Sequence, residues 1–203
     1  MNAISDPQFW QSRYESGVPP WDLGQAAPGF QALLQSGTLT PRARVMVLGC
    51  GAGHDALAFA QSGFAVTGAD FAPGAIAAAR NQGQQLKITA TWIESNIFDL
   101  LPEFAHQFDY VVEHTCFCAL DPSWRDRYVA LVQGLLKPGG ELLAIFFTHD
   151  RPGGPPFGST PAEIRNHFAP HFKILELNPL AESPDHRQGE EHWGRFQVKS
   201  PSP

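Results

Sequence analysis

The sequence predicts an open α/β sheet that is mostly parallel, with an antiparallel addition at one edge. Between residues 44 and 149, short apolar runs such as "RVMVLG" and "ELLAIFF" alternate with helical segments. Continuous apolar runs are typical of strands buried on both faces, and strands that alternate with helices form parallel sheets. Two strand-like runs joined by an irregular excursion end the chain, which predicts the antiparallel addition.

The predicted elements follow one another along the chain. The predicted strands cover residues 44–49, 64–70, 87–95, 108–114, 141–149, 172–180 and 191–199. The predicted helices cover residues 5–17, 30–35, 51–63, 73–83, 121–140 and 160–168. Pro and Gly interrupt these patterns at 18–29, which predicts a loop carrying Trp21, and at 151–158, which predicts an ordered loop or lid. The last four residues, 200–203, are predicted to form a frayed tail.

Capping residues support several of these boundaries. Ser5 or Asp6 is the predicted cap of the first helix, and Pro7 fits its first turn. Ser123 is the predicted cap of the fifth helix, and the run Lys-Pro-Gly-Gly at 137–140 is its predicted stop.

Length and composition predict one domain, or at most two small ones, and argue against several classes of protein. The chain has 203 residues, of which 43% are apolar and 17% charged, and its formal net charge is −6. The 14 Lys and Arg residues are scattered, so we expect no nucleic-acid partner and no membrane surface. Three cysteines do not form a disulfide framework. With no signal-like segment at the N-terminus and no apolar stripe that demands a partner, we expect a cytoplasmic monomer.

A glycine loop follows the first strand. In "VLGCGAGHD", Gly49, Gly51 and Gly53 give the spacing G-x-G-x-G, and His54 stands where a dinucleotide fingerprint has its third glycine. Asp70 ends the second predicted strand, where an acid can accept hydrogen bonds from a ribose diol. This combination is typical of proteins that bind a nucleoside without a diphosphate, as S-adenosylmethionine (SAM) methyltransferases do. The alternative is an ordinary turn with a solvated aspartate.

The stretch "EHTCFCAL" follows the fourth strand, at the edge where ligands of parallel sheets bind. Glu113, His114, Cys116 and Cys118 are the residue types that bind zinc. However, the chain has no C-x-x-C pair, and its only other cysteine is Cys50. A metal site and a covalent cysteine nucleophile are therefore disfavoured, and a pocket wall of small, soft side chains is favoured for both cysteines.

Four segments resemble the thiopurine S-methyltransferase family, and most of all its thiol, halide and thiocyanate branch. The segments are "FWQSRYESGVPPWDLGQAAPGF", "VLGCGAGHDALAFAQSGFAVTGAD", "EHTCFCALDPSWRDRYVALVQGLLKPGGEL" and "GPPFGSTPAEI". The resemblance implies a Rossmann-like class I SAM-dependent methyltransferase: a seven-stranded, mostly parallel sheet with one antiparallel edge strand and an N-terminal aromatic lid at about 5–37. It also implies SAM as cofactor, S-adenosylhomocysteine as product, and no metal.

The resemblance implies a cofactor site drawn from several parts of the chain. Its N-terminal aromatic residues close over the cofactor, the glycine loop lies beneath the methionine moiety, and Asp70 binds the ribose. The residues implied are Trp10, Tyr14, Trp21, Gly49, Cys50, Gly51, Asp70, Phe71, Asn96, Ile97 and Glu113. Each has a structural alternative: the aromatic residues are often core anchors, and Asn96 is equally a turn residue. Ser95 is an alternative to Asn96, because the ends of predicted strands shift by a few residues.

The resemblance also implies an acceptor site. His114 is the implied catalytic residue, and Phe117, Cys118 and Phe157 are the implied substrate-binding residues. Plant relatives have a tyrosine at the position of His114, so their acceptor preferences do not carry over directly. Two alternatives stay open: His114 is a histidine bonded to Glu113 or the backbone, and the loop at 151–158 is a plain surface loop.

The predicted reaction is methyl transfer to a small sulfur nucleophile or pseudohalide, namely a thiol, hydrosulfide or thiocyanate, with halides and thiopurines as further candidates. A few per cent of a free thiol is already thiolate at neutral pH, so a strong general base is optional. No Ser-His-Asp arrangement and no G-x-S-x-G motif is present. The alternatives are a small-molecule O- or N-methyltransferase, a nicotinamide-dependent oxidoreductase, and a cofactor-binding protein without turnover.

Overall fold

A computed structural model describes residues 3–199, with the side chain of Ala3 excepted. The predicted frayed tail at 200–203 lies outside these described residues. The chain divides into two compact units, Met1–Asp99 and Leu100–Pro203.

The first unit holds three parallel strands in the order β3-β2-β1, with bounds β1 Arg44–Leu48, β2 Ala65–Asp70 and β3 Thr91–Glu94. Its α-helices are α1 Pro7–Glu15, α2 Pro28–Ser36, α3 His54–Gln61 and α4 Pro73–Leu86. Leu48 pairs with Ala69, and Asp70 pairs with Glu94. The register therefore brings the glycine loop, Asp70 and the turn after β3 to the same edge of this sheet.

The second unit holds four strands, β4 Phe108–His114, β5 Leu136–Phe147, β6 Phe172–Pro179 and β7 Glu191–Val198. Its α-helices are α5 Arg125–Leu135 and α6 Pro161–Phe168. β4 and β5 are parallel, whereas β7 runs antiparallel to both β5 and β6. The antiparallel pair β6–β7 forms the edge of this sheet, as the two strand-like runs at the end of the chain predict.

The start of α1 and the end of α5 show how local sequence sets helix boundaries. The Asp6 carboxylate accepts a hydrogen bond from Gln8 N at 2.9 Å, so Asp6 is the cap of α1. The predicted cap of the fifth helix was wrong: the Asp121 carboxylate accepts from Ser123 N at 2.9 Å, and α5 begins at Arg125. The helix also ends earlier than predicted, because Lys137 precedes a proline and that position disfavours helical backbone.

Buried aromatic side chains form the core of the second unit. Their ring centroids lie 5.1–5.9 Å apart along a connected cluster. Burial of each such side chain contributes on the order of 1.5–3 kcal/mol relative to exposure. The cluster consists of Phe117, Tyr128, Phe146, Phe168, Phe172 and Phe196.

The core of the first unit is built from strand β1 and the helices beside it. Residues Val45–Leu48 are buried, and the Phe30 ring packs edge-on against Phe59 at 5.7 Å. No helix in residues 3–199 is both long and apolar enough to cross a membrane.

Candidate functional site

The glycine loop of the first unit is held in a conformation that favours glycine. Gly51 and Gly53 have φ angles of +53° and +86°, in the left-handed region. A Cβ at Gly53 would lie 2.8 Å from Trp92, so close packing excludes a side chain there as well. Cys50 N donates to Ala69 O at 3.0 Å, which ties the loop to β2. The backbone of the loop is therefore tied to β2 and packed against Trp92.

Asp70 connects the glycine loop to the start of α4. Its Oδ2 accepts from Gly51 N at 3.0 Å and its Oδ1 from Ala72 N at 2.9 Å. Burial raises the pKa of Asp70, and the backbone N–H donors oppose that shift. Each carboxylate oxygen keeps a second lone pair, so Asp70 can still accept from ribose hydroxyls. Phe71, which follows it, is half-buried.

The N-terminal aromatic residues form a cluster beside this loop. The Trp21 ring lies 5.6 Å from Trp10 and 6.2 Å from Tyr14, both edge-on. The Tyr14 hydroxyl lies 3.3 Å from the point that a Cβ on Gly51 would occupy. Burial, and then the charge of Asp70, raise the pKa of Tyr14, which keeps the phenol protonated. The three rings are half-buried, and Tyr14 lies against the glycine loop.

Polar contacts hold this N-terminal segment in place. Gly74 N donates to Gln11 Oε1 at 2.7 Å, which joins α1 to the first turn of α4. His54 Nε2 lies 2.9 Å from Asp22 Oδ1. This contact joins the loop at 18–29, here called the P-W-D loop after its residues 20–22, to the first turn of α3. The hydrogen bond raises the pKa of His54 and lowers that of Asp22. Sequence analysis missed this pair, although both residues belong to motifs that it singled out.

Asn96 and Ile97 lie in the turn after β3. The Asn96 side-chain oxygen accepts a hydrogen bond from Phe98 N at 3.0 Å, so Asn96 stabilises the turn after β3. Ile97 is buried. Their contact with adenine stays a prediction.

In the second unit, Glu113 is fully buried at the end of β4. Its Oε1 accepts from Cys116 N at 2.9 Å and from Phe117 N at 2.8 Å. Its Oε2 is buried without a hydrogen-bond partner. Burial raises the pKa of Glu113 to about 7, against the opposing effect of the two N–H donors. Glu113 therefore anchors the turn that follows β4, and its role toward the cofactor stays a prediction.

His114 is half-buried and contacts two buried charged residues, Arg187 and Glu191. His114 Nε2 lies 3.2 Å from Arg187 Nη1 and 3.9 Å from Glu191 Oε1. Arg187 Nη1 also donates to Glu191 Oε1 at 3.3 Å. Arg187 is 5% exposed and Glu191 2% exposed. Sequence analysis gave Arg187 no chemistry, because nothing in its local pattern reveals that it contacts the end of β4.

Both cysteines of "EHTCFCAL", Cys116 and Cys118, are buried, which is compatible with the predicted pocket wall. Burial, followed by the charge of Glu113, raises the pKa of Cys118, and burial raises that of Cys50. A protonated thiol is a poor nucleophile and a poor metal ligand. In residues 3–199, no three side chains of His, Cys, Asp or Glu are grouped to hold a metal ion.

Phe117 and Phe157, both implied acceptor contacts, have different surroundings. Phe117 packs inside the aromatic core and is 1% exposed. Phe157 is half-buried, and its backbone N–H donates to Cys118 O at 2.6 Å. Their contact with an acceptor stays a prediction.

The loop at 151–158 is anchored to the rest of its unit. Arg125 Nη2 donates to Gly158 O at 2.6 Å, and Arg151 forms a two-point ion pair with Glu190, with Nη2–Oε2 at 2.9 Å. The Phe157 N–H contact adds a third attachment. These anchors agree with the ordered loop that its Pro and Gly content predicts.

Comparison with known proteins identifies the family. The sequence profile of the family described as Thiopurine S-methyltransferase (TPMT) matches residues 5–200. The chain belongs to this family. It is 34% identical to "Probable thiol methyltransferase 2" of Arabidopsis thaliana, over 94% of this chain and 85% of that protein. It is also 34% identical to "Thiocyanate methyltransferase 1" of Brassica oleracea, over 92% of this chain and 83% of that protein.

Solved structures show the same fold. A structure from work on the conversion of a disulfide bond into a thioacetal group during echinomycin biosynthesis superposes with a TM-score of 0.82 at 22% identity, covering 97% of this chain and 93% of the other. The 1,6-didemethyltoxoflavin-N1-methyltransferase of Burkholderia thailandensis, solved with S-adenosylhomocysteine, has a TM-score of 0.77 at 20% identity, over 98% and 88% of the two chains. The predicted class I methyltransferase fold is confirmed.

Members of the thiopurine S-methyltransferase family are SAM-dependent methyltransferases, and this protein is one. The first unit is compatible with the cofactor's nucleoside part, because each Asp70 carboxylate oxygen keeps a lone pair beyond its backbone hydrogen bond. The nicotinamide-dependent oxidoreductase considered for the glycine loop is thereby set aside.

Proposed function

We propose that this protein methylates a small sulfur nucleophile or pseudohalide: a thiol, hydrosulfide or thiocyanate, with halides and thiopurines as further candidates. The observation that carries the proposal is the buried guanidinium of Arg187 in contact with His114 at the end of β4. Arg187 is paired with Glu191, so its guanidinium offers N–H donors rather than a net charge, and thiolate and thiocyanate are acceptors that such donors can orient. The names of the two plant relatives, which describe a thiol and a thiocyanate methyltransferase, support the same class.

Residues of the first unit hold the cofactor in this proposal. Asp70 accepts hydrogen bonds from the ribose hydroxyls, and the glycine loop admits the methionine part. Trp10, Tyr14 and Trp21 present aromatic faces, which attract a sulfonium cation. When bound, SAM supplies an electrophilic methyl carbon, to which an acceptor lone pair bonds while the electron pair of the broken bond stays on the cofactor's sulfur.

Residues of the second unit orient the acceptor and exclude water. His114 and Cys118 follow β4, and Phe157 is tied to Cys118 through the backbone. Alignment of the two reactants can supply about 7–11 kcal/mol of the barrier reduction in favourable cases. Because burial keeps the Cys118 thiol protonated, the methyl group goes directly to the acceptor.

Calorimetry followed by an acceptor panel tests this function. The protein is titrated with SAM and with S-adenosylhomocysteine, then assayed with hydrosulfide, alkyl thiols, a thiopurine, thiocyanate, iodide and a phenol. We expect both cofactors to bind and the sulfur acceptors to be methylated. Turnover confined to the phenol would instead support an O-methyltransferase, and binding without any turnover would support a cofactor-binding protein.

We further propose that the protein acts as a monomer in the cytoplasm. Its scattered charges support this, as does the short set of large apolar side chains exposed in the described part of the chain, Val18, Leu86 and Leu175. Light scattering coupled to size-exclusion chromatography should give the mass of a single chain, and a dimer mass would contradict it.

A further inference from the structure

Two consecutive residues of α3 hold the P-W-D loop at two points. His54 Nε2 lies 2.9 Å from Asp22 Oδ1, and Asp55 Oδ1 accepts a hydrogen bond from Ala27 N at 2.7 Å. Asp22 directly follows Trp21, and Ala27 directly precedes α2. His54 and Asp55 are the first two residues of α3, directly after the last glycine of the glycine loop. These two contacts, here called the clamp, therefore fasten the P-W-D loop to the helix that follows the glycine loop.

Further contacts lead from the clamp back to the glycine loop. The Trp21 ring lies 6.2 Å from the Tyr14 ring, and its indole N–H donates a hydrogen bond to the Tyr14 hydroxyl. That hydroxyl lies 3.3 Å from the point that a Cβ on Gly51 would occupy. Gly51 precedes His54 by only three residues. Because these contacts form a closed circuit, the clamp sets how the two rings lie beside the glycine loop.

The His54 contact of the clamp is sensitive to pH. The hydrogen bond to Asp22 raises the pKa of His54 and lowers that of Asp22, so the carboxylate stays ionised while the ring titrates. Asp22 Oδ1 also accepts from Gly24 N at 2.7 Å, which holds the carboxylate in place. A cation in the first turn of a helix faces the positive end of the helix dipole, so the charged ring depends on Asp22 and on the neighbouring Asp55. The contact is therefore strongest while His54 is protonated, and it weakens when the ring loses its proton.

The other titratable groups beside the glycine loop do not reproduce this change. Burial, and then the charge of Asp70, raise the pKa of both Tyr14 and Cys50, so both stay protonated up to pH 9. Burial also raises the pKa of Asp70 itself. Asp70 is retained in every His54 variant, so a comparison between such a variant and the unsubstituted protein isolates the histidine.

We propose that His54 and Asp55 are positioning residues for the cofactor, and that the His54–Asp22 contact is the point at which the P-W-D loop opens for the cofactor to enter and leave. While the contact holds, the Trp21 ring stays on Tyr14 beside the glycine loop and the bound cofactor is retained. When the contact breaks, the loop moves away from α3 and S-adenosylhomocysteine is released, a step that limits turnover in many enzymes. This inference rests on the cofactor placement given under the proposed function and makes no use of the acceptor.

The rate at which S-adenosylhomocysteine leaves the protein tests this proposal. A complex with radiolabelled S-adenosylhomocysteine is mixed with an excess of the unlabelled compound, and the retained label is followed over time at pH 6 and at pH 9. For a partly exposed ion pair, we expect the dissociation rate of the unsubstituted protein to rise about two- to fivefold between these pH values. A rate that does not rise would overturn the proposal.

His54→Gln removes the titration and keeps a neutral amide donor toward Asp22. We expect this variant to release S-adenosylhomocysteine at pH 6 as fast as the unsubstituted protein does at pH 9, with no further change between the two pH values. His171→Gln, at an exposed position, is the matched control and should keep the unsubstituted profile. If His54→Gln kept that profile as well, another group would control release and the proposal would be wrong.

Asp55 tests the second contact of the clamp, whose donor is a backbone N–H that does not titrate. Asp55→Asn retains a side-chain oxygen that can accept from Ala27 N, whereas Asp55→Ala has none. We expect Asp55→Ala to release S-adenosylhomocysteine faster at both pH values, and Asp55→Asn to restore most of the retention. Equal release rates from the two variants would contradict the positioning role of Asp55. All rates are measured without an acceptor, so an acceptor panel without turnover would contradict the proposed function and leave this test intact.

Discussion

Asp22 and His54 connect the P-W-D loop to the first turn of α3 through a contact of 2.9 Å. His54 occupies the position at which a dinucleotide-binding loop would have its third glycine. The residue that departs from that fingerprint therefore holds the N-terminal segment beside the glycine loop. Because that segment carries Trp21, whose ring packs against Tyr14, this contact connects the aromatic cluster to the start of α3.

His54→Gln should lower stability in a pH-dependent way. The pKa of His54 is raised by Asp22, so its contribution is complete below the ordinary histidine pKa and is lost as pH rises through the raised value. The pKa of Asp22 is lowered, so its contribution is lost as pH falls through that lowered value. We expect a loss of about 0.5–1 kcal/mol at pH 6 and less at pH 9. Urea unfolding at both pH values measures it. His171→Gln is the control, and an equal loss at both pH values would contradict the pairing.

Asp70→Asn should weaken cofactor binding and stability together. Both carboxylate oxygens accept hydrogen bonds from backbone N–H groups. In the asparagine variant the NH₂ group, which can only donate, would face one of these N–H groups. We expect at least about a tenfold loss of SAM affinity and about 1–3 kcal/mol of stability. Calorimetry and urea unfolding give the two values. Glu94→Gln, at the position paired with Asp70 on β3, should bind SAM normally. Unchanged affinity in Asp70→Asn would rule out its ribose role.

Gly51→Ala should be destabilising for two separable reasons. The φ of +53° costs a non-glycine residue about 1–2 kcal/mol, and the new Cβ would lie 3.3 Å from the Tyr14 hydroxyl. Tyr14→Phe removes only the hydroxyl. A double-mutant cycle by urea unfolding should therefore show Gly51→Ala to be less costly in the Tyr14→Phe background, with the backbone contribution remaining. If the two losses of unfolding free energy were strictly additive, the Tyr14 hydroxyl would not lie against the glycine loop.

Glu113→Gln should become relatively more stable than the unsubstituted protein as pH rises. Burial raises the pKa of Glu113 from 4.5 to about 7, so the folded state binds the proton more tightly than the unfolded state does. Ionisation between those two values then lowers the stability of the unsubstituted protein by on the order of 3 kcal/mol at most. Urea unfolding at pH 5 and pH 8 tests this. The exposed Glu103→Gln is the control, and a pH-independent difference for Glu113→Gln would contradict the shift.

Local sequence patterns predicted much of the fold. Apolar runs gave the strands, and the G-x-G-x-G loop and Asp70 lie together at the ends of β1 and β2. The start of the fifth helix was predicted less well, because Ser123 lies in a 3-10 turn, Pro122–Trp124, that Asp121 caps, and α5 begins only at Arg125. The role of Asn96 was also ambiguous, because the same side chain can stabilise a turn or contact a ligand.

The sequence by itself determined the family, the order of elements and the residues at strand ends, because these depend on neighbours along the chain and on short motifs. Only the tertiary structure decided what surrounds them. Arg187 lies 73 residues from His114 in sequence, yet its Nη1 lies 3.2 Å from the Nε2 atom of the histidine ring. Likewise, Glu113 has a strongly raised pKa because the fold removes it from water. Burial and contacts between distant residues set the state of an ionisable group, and neither is written in the residues beside it.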